Sequence, residues 1–213
     1  MNAPAEIDQS DALARGAEAM GMNLPPAALS RLIQHLALIE KWNAVHNLTA
    51  VRDRAGMVTH HVLDSLTLSA FLPQGTALLD VGSGAGFPGL ALAIARPDLQ
   101  ITVLDSNQKK SAFLQQTIGA LKIANVTSVC ARVERWIAPR PFPVIVSRAL
   151  AELQEFAALS RHLLARQGRL FAMKGVYPHD EIARLPGSVI VERVEPLVIP
   201  GLDATRHLVI LSI

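Results

Sequence analysis

The chain places four glycines within eight residues: Gly82, Gly84, Gly86 and Gly89 of "DVGSGAGFPG", which overlaps the end of the apolar run "ALLDV". A turn of this kind, leading from a strand into a helix, lets a ligand lie against bare backbone and the amides of the helix N-terminus. Turn geometry alone would account for one glycine; four in so short a span point to a ligand. A second carboxylate, Asp105, closes the next apolar run, "ITVLD", nineteen residues beyond Gly86. At the tip of a second strand an acidic side chain can accept both hydroxyls of a ribose. The same residue can instead cap the helix begun by "NQKKSAFL".

Gly84, Gly86 and Gly89 satisfy the G-x-G-x-x-G pattern of dinucleotide-binding turns, so a dehydrogenase has to be weighed. Phe87 and Pro88 sit where that motif needs an open helix N-terminus, and the turn reads better as Asp80-x-Gly82-x-Gly84-x-Gly86. A carboxylate two places before the first glycine repels a pyrophosphate but suits an ammonium group. S-adenosylmethionine carries an amino-acid end and no phosphate, so Asp80, Gly82, Gly84 and Asp105 are expected to serve that cofactor.

The elements that must position these residues follow from periodicity. Residues 1–76 read as a helical block. After "NLPP", Leu29, Leu32, Ile33, Leu36 and Ile39 mark one helical face, and beyond Asp53 the residues Val58, Val62, Leu66 and Ala70 step by four. Residues 77–213 alternate short apolar runs with helical stretches ("GLALAIA", "QKKSAFLQQTIGALK", "ERWI", "ALAELQEFAALSRHLL"), which implies a parallel sheet covered on both faces. The final runs, "SVIVERVEPLVI" and "RHLVILSI", are too close for a helical crossover and are expected to be antiparallel. The expected fold is therefore α/β, a seven-stranded mixed sheet with its last strand antiparallel and an N-terminal helical extension packed on it; that closing strand resembles the Rossmann-like sheet of class I S-adenosylmethionine-dependent methyltransferases.

Of the 213 residues 50% are apolar, enough for a sizeable core, and the net charge is only +2. Residues 77–141 carry the basic excess, seven Lys/Arg against four Asp/Glu. A single cysteine, Cys130, excludes a disulfide framework and a multi-cysteine metal site, and neither a leader pattern nor a long uncharged apolar run is present. We expect a soluble cytoplasmic monomer with no metal and no membrane contact.

The methyl acceptor is narrowed by what is missing. Cys130 lies in an apolar run that reads as core, which leaves no thiol nucleophile for cytosine C5 chemistry. After "PVIVS" the chain continues "RALAE", not the Asn/Asp-Pro-Pro-aromatic turn of exocyclic-amine methylation. The segments "KWNAVHNLTAVRD", "HHVLDSL", "LLDVGSGAGFPGLALAI", "TVLDSNQKKSAFL", "ARVERW", "VSRA", "AMKG" and "RHLVI" resemble, in order and spacing, the signatures of the bacterial 16S ribosomal RNA guanine-N7 methyltransferases, the glucose-inhibited division protein B family. That resemblance implies 16S ribosomal RNA or a small-subunit particle as partner and one guanine in a loop as target. It also implies Gly82, Phe87, Val133, Glu134 and Arg148 as cofactor contacts, with Arg148 and Lys174 facing the substrate. Guanine N7 bears a lone pair and no hydrogen, so no catalytic acid or base is expected. A methyltransferase for another RNA or a protein, an NAD-dependent oxidoreductase and a non-catalytic nucleoside-binding regulator stay as alternatives.

His61, Asp64 and Ser65 share a helical face, where a packing network is the simpler role than a triad. Trp42 is expected to anchor the helical block as a buried ring, and Lys109 and Lys110 to be solvated. With so small a net charge, RNA recognition must rest on local patches. Turnover on RNA should therefore fall as salt rises, but less steeply than for a strongly basic enzyme; initial rates across a salt series test this, and a flat response would contradict it.

Overall fold

The computed structural model describes residues 4–148 and 151–213; Ala149 and Leu150, the start of one expected helical stretch, lie outside the described residues. The N-terminal block begins with α1 (Pro4–Ala19) and α2 (Pro26–Asn43). A composite run follows: α3 (Arg54–Met57), a π-helical turn over Val58–Leu63, α4 (Asp64–Leu66) and a 3₁₀ turn over Thr67–Phe71. Asp53 caps this run by accepting from the Gly56 amide. Val58, Val62 and Leu66 are buried as their spacing implies, but Leu68 is buried in place of the exposed Ala70. The wide π turn and the tight 3₁₀ turn rotate the buried face away from a regular four-residue step.

The remaining elements are β1 (Ala77–Val81), α5 (Gly89–Ala95), β2 (Gln100–Asp105), α6 (Gln108–Leu121), β3 (Val126–Cys130), β4 (Phe142–Arg148), α7 (Leu153–Ser160), β5 (Leu164–Lys174), α8 (His179–Ala183), β6 (Ile190–Pro196) and β7 (His207–Ser212). Among the described residues they form one seven-stranded sheet in the order β3-β2-β1-β4-β5-β7-β6, with β7 antiparallel to both neighbours and the other strands running one way. The reversed final strand expected from the short loop before it is present. The expected helix at "ERWI" is reduced to a 3₁₀ turn over Val133–Arg135.

Alternation along the strands divides the core between the two faces. Leu78, Val103, Val144, Val146, Phe171 and Leu208 point toward α1, α2, α5, α6 and the composite run, so the helical block and the sheet share one apolar core. Leu79, Val81, Leu104, Ile145, Leu170 and Val209 point toward α7. Cys130 is exposed, contrary to its expected place in the core. It ends the edge strand β3, none of whose residues is buried, because an edge strand lacks a second neighbour. Trp42 is half-buried, meeting Phe113 of α6 edge-on at 5.5 Å between ring centres, so it anchors the block with one side still open.

β1 lies between β2 and β4, the point where successive crossovers change direction, and a crevice opens there at the carboxyl ends of the strands. The first residue of α5 closes that region tightly. A Cβ on Gly89 would come within 2.6 Å of Val103 Cγ1 and 2.7 Å of Asp80 Oδ2. Gly89→Ala should therefore cost about 1–3 kcal/mol through overpacking, seen as a lower urea midpoint; an unchanged midpoint would show that β1 and β2 can yield there.

Candidate active site

The glycine turn is shaped by two carboxylates beneath it. Gly82, Gly84 and Gly86 take positive φ values of 73°, 58° and 92°, which only glycine adopts without strain. This conformation lets the Gly82 and Ser83 amides bond the Leu104 carbonyl of β2 at 2.8 and 3.1 Å. Asp80 Oδ2 accepts from Ser83 Oγ at 2.6 Å and from the Gly89 amide at 2.8 Å, so it holds both ends of the turn. Asp105 Oδ2 accepts from the Gly84 amide at 2.9 Å, and its Oδ1 accepts from the Asn107 amide at 2.8 Å. Asn107, not Asp105, caps α6, bonding the Lys109 and Lys110 amides. The carboxylate of Asp105 is therefore spared for the crevice.

A cleft of about 690 Å³ opens above these residues. Gly82, Gly84, Phe87, Asp105, Val133, Glu134 and Arg148, all expected from the sequence, line it. Two expected residues do not. Asp80 is fully buried under the turn, where its Oδ2 shapes the backbone, and burial pushes its carboxyl up to about 6. Lys174 is turned away because its Nζ bonds Glu181 at 2.7 Å and the Ala151 carbonyl at 3.0 Å. Leu48, Thr49, Ser106, Asn107 and Arg132, which lie in the signature segments but were not singled out, also line the walls, together with Glu155 and Leu159 of α7, and Lys110, expected to be merely solvated, reaches the cleft as well.

The helical block supplies the other half of the site. His35 of α2, buried on the apolar face, donates from Nε2 to the Ala85 carbonyl inside the glycine turn at 2.8 Å. Phe87 stacks on His35 at 4.9 Å and on His61 at 5.0 Å, and the Arg148 guanidinium lies 5.3 Å from the Phe87 ring centre. Arg148 also donates to the His60 carbonyl at 3.0 Å and to Asp64 Oδ2 at 3.2 Å. The same guanidinium nitrogen lies 3.5 Å from His61 Nδ1. On the other side of that ring, Nε2 shares a hydrogen bond with Thr49 Oγ1 at 2.7 Å. His61, Asp64 and Ser65 thus form a packing network, as expected, and two of them also orient Arg148. His35 escaped notice because a histidine on an apolar helical face carries no motif; its only signal is its place among Leu32, Leu36 and Ile39.

Burial holds His35 and His61 down at about 4, Arg148 adding to the effect on His61, so both rings are neutral at pH 7. Burial pushes the Asp64 carboxyl up, while Arg148 and Arg206 pull it back.

A reversed last strand, a glycine turn after β1 and an acidic tip on β2 define a class I methyltransferase. The fold matches an S-adenosylmethionine-dependent methyltransferase from Aquifex aeolicus with a TM-score of 0.57 at 18% identity, over 75% of this chain and 93% of that one. It also matches coclaurine N-methyltransferase, solved with N-methylheliamine and S-adenosylhomocysteine, with a TM-score of 0.54 at 14% identity, over 92% and 68% of the two chains. A family model described as rRNA small subunit methyltransferase G, GidB, matches residues 28–209. Relatives named ribosomal RNA small subunit methyltransferase G share 50% identity in Chromobacterium violaceum, over 92% of this chain and 94% of that one, and 48% in Methylobacillus flagellatus, over 93% and 96%. The chain belongs to the rRNA small subunit methyltransferase G family.

The depressed imidazoles give a signed pH effect. The unfolded chain protonates His35 near 6.5 and the folded chain only near 4, so His35 lowers stability as pH falls through that window. Asp80, with a folded value near 6 against 3.8, acts in the opposite direction as pH falls below 6. His35→Gln retains a donor for Ala85 but cannot titrate. Chemical denaturation at pH 6.5 and pH 4 should therefore show the variant losing less stability than the wild type, by up to about 3 kcal/mol. Parallel losses would refute the assignment.

Proposed function

We propose that the chain transfers a methyl group from S-adenosylmethionine to N7 of a guanine in 16S ribosomal RNA. The observation that carries this reading is Asp105, whose two oxygens each take one backbone amide. Each oxygen keeps acceptor capacity for a ribose hydroxyl. The walls fit the cofactor in charge as well. Asp105, Glu134 and Glu155 balance Lys110, Arg132 and Arg148, which suits a zwitterion bearing a sulfonium better than a pyrophosphate needing excess positive charge. Beyond that strand tip, Val133 offers an apolar surface to a base and Glu134 a carboxylate beside it. The turn from Gly82 to Phe87 supplies backbone to the amino-acid end, and the cleft volume lies in the range that encloses a ligand of this size.

When bound, S-adenosylmethionine supplies a methyl group on a positively charged sulfur. The chain's own residues then have to bind, orient and exclude water. An in-plane lone pair at guanine N7 attacks carbon without losing a proton, so no side chain needs to accept one. The neutral His61 is committed through both ring nitrogens, to Arg148 and Thr49, and is spent on orientation. Arg148, fixed by Asp64 and the His60 carbonyl, presents a positioned donor at the wall shared by cofactor and RNA. Rate enhancement on this reading comes from proximity and alignment.

The direct test is to delete the gene, digest 16S RNA to nucleosides and quantify 7-methylguanosine by mass spectrometry. One residue equivalent should vanish and return on complementation, and unchanged modification at every guanine would remove the assignment. Asp105→Asn should weaken S-adenosylhomocysteine binding by about 10- to 100-fold, the range for hydrogen bonds to a charged group, measured by calorimetry. The pH–rate profile should keep its shape in that variant, since no proton is transferred. A new acid limb would indicate a catalytic base.

A further inference from the structure

We propose that the loop after β5 carries a stacking platform, the ring of Tyr177 braced by His179 and His207, which receives an unpaired base flanking the target guanine. The proposal rests on the RNA methyltransferase reading above and names a surface for the strand that enters the cleft.

Tyr177 is the only tyrosine of the chain and stands in "GVYP" between β5 and α8. Its side chain is 42% exposed, whereas aromatic rings are mostly buried. The ring is nevertheless fixed. His179 lies 4.2 Å away between ring centres with its plane tilted by 35°, and His207 meets it edge-on at 5.6 Å and 81°. His207 Nδ1 donates to the Gly175 carbonyl at 3.3 Å, tying the start of the loop to β7. A ring held before its partner arrives loses little freedom on stacking.

Its position connects it to the cleft. Met173 pairs with Arg148 across β4 and β5, and Lys174 pairs with His207 across β5 and β7. At a strand spacing of roughly 4.8 Å, the backbone of His207 is on the order of 10 Å from that of Arg148 along the same carboxyl edge of the sheet, with His207 on the face that Lys174 takes. Arg206 lies between them in charge as well as in place: its Nε is 3.6 Å from Asp64 Oδ1, while Arg148 approaches Asp64 Oδ2 at 3.2 Å. Two guanidiniums share one carboxylate, which leaves net positive charge for a phosphate between cleft and platform. Glu181 is engaged by Lys174 and by the Leu153 amide, and Asp180 adjoins His179, so the platform has no broad basic field. Stacking on every base's π-face needs no such field, and single-stranded RNA loops are recognised in this way.

The test uses the full chain, labelled S-adenosylmethionine and small-subunit particles from a strain lacking the gene. Tyr177→Ala should raise KM for the particles between about 5-fold and 100-fold, with kcat and S-adenosylhomocysteine affinity unchanged. Tyr177→Phe, which keeps the ring, should restore wild-type KM. A benzophenone amino acid at position 177 should cross-link to RNA on irradiation. An unchanged KM in Tyr177→Ala, equal losses in both variants, or cross-linking to a ribosomal protein instead would each overturn the platform alone. Wild-type protein that leaves the particles unlabelled would overturn the underlying reading and the proposal with it.

Discussion

The site depends on backbone amides that would otherwise be buried without partners. In a turn where Gly82, Gly84 and Gly86 adopt left-handed conformations, the Gly86 and Phe87 amides bond the Ser83 carbonyl, while those of Gly82, Ser83, Gly84 and Gly89 face the ends of β1 and β2. Asp80, Asp105 and the Leu104 carbonyl accept from these four. This accounting separates the roles of the two acidic residues. The carboxylate ending β1 lies beneath the turn, fully buried, and fixes its shape. The one ending β2 stands at the cleft wall with acceptor capacity to spare. One fixes the curve of the backbone and the other faces the cleft, although both appear in the sequence as an acidic residue closing an apolar run.

The same constraint explains why the helical block is part of the site and not an appendage. Ala85 presents a carbonyl inside the turn, and His35 is the donor that meets it; Phe87 of the turn is then packed between His35 and His61. Neutral imidazoles are needed for this arrangement, since charged rings would be desolvated against an aromatic face and beside Arg148. Burial supplies the neutrality. The block therefore orders the cofactor loop and Arg148 together, through contacts that share one apolar core with the sheet.

On the proposed transfer to guanine N7, which moves no proton, the fold needs no poised acid and base. The buried titratable groups around the cleft are correspondingly engaged in holding other groups: His61 and Asp64 hold Arg148, His35 holds the turn, and Asp80 holds the start of α5. On that proposal the rate comes from placement, and the sensitive residues are those that fix geometry.

Much of this was legible in the order of residues. Strand and helix alternation, the short final loop and the spacing from the glycine turn to Asp105 are local properties, set by the two periodicities and by turn chemistry, and they pointed to the fold and to Gly82, Gly84 and Asp105 in the cleft, while Phe87, Val133, Glu134 and Arg148 were reached through the family resemblance. Exposure of Cys130 was not legible, because an apolar run does not reveal whether its strand lies at the edge of the sheet. Nor could the run beyond Asp53 disclose its π and 3₁₀ turns, which turn Leu68 inward and Ala70 outward. Lys174 reads as a free cation at a strand end until Glu181 is seen to hold it. Above all, His35 meets Ala85 across 50 positions, Asp64 meets Arg148 across 84, and Arg206 meets His60 across 146. By itself the sequence determined which backbone could cradle a nucleoside, since near neighbours dictate that. Only the tertiary structure decided which distant side chains would orient the cradle, because those pairings form when separate elements bury their apolar faces against one another.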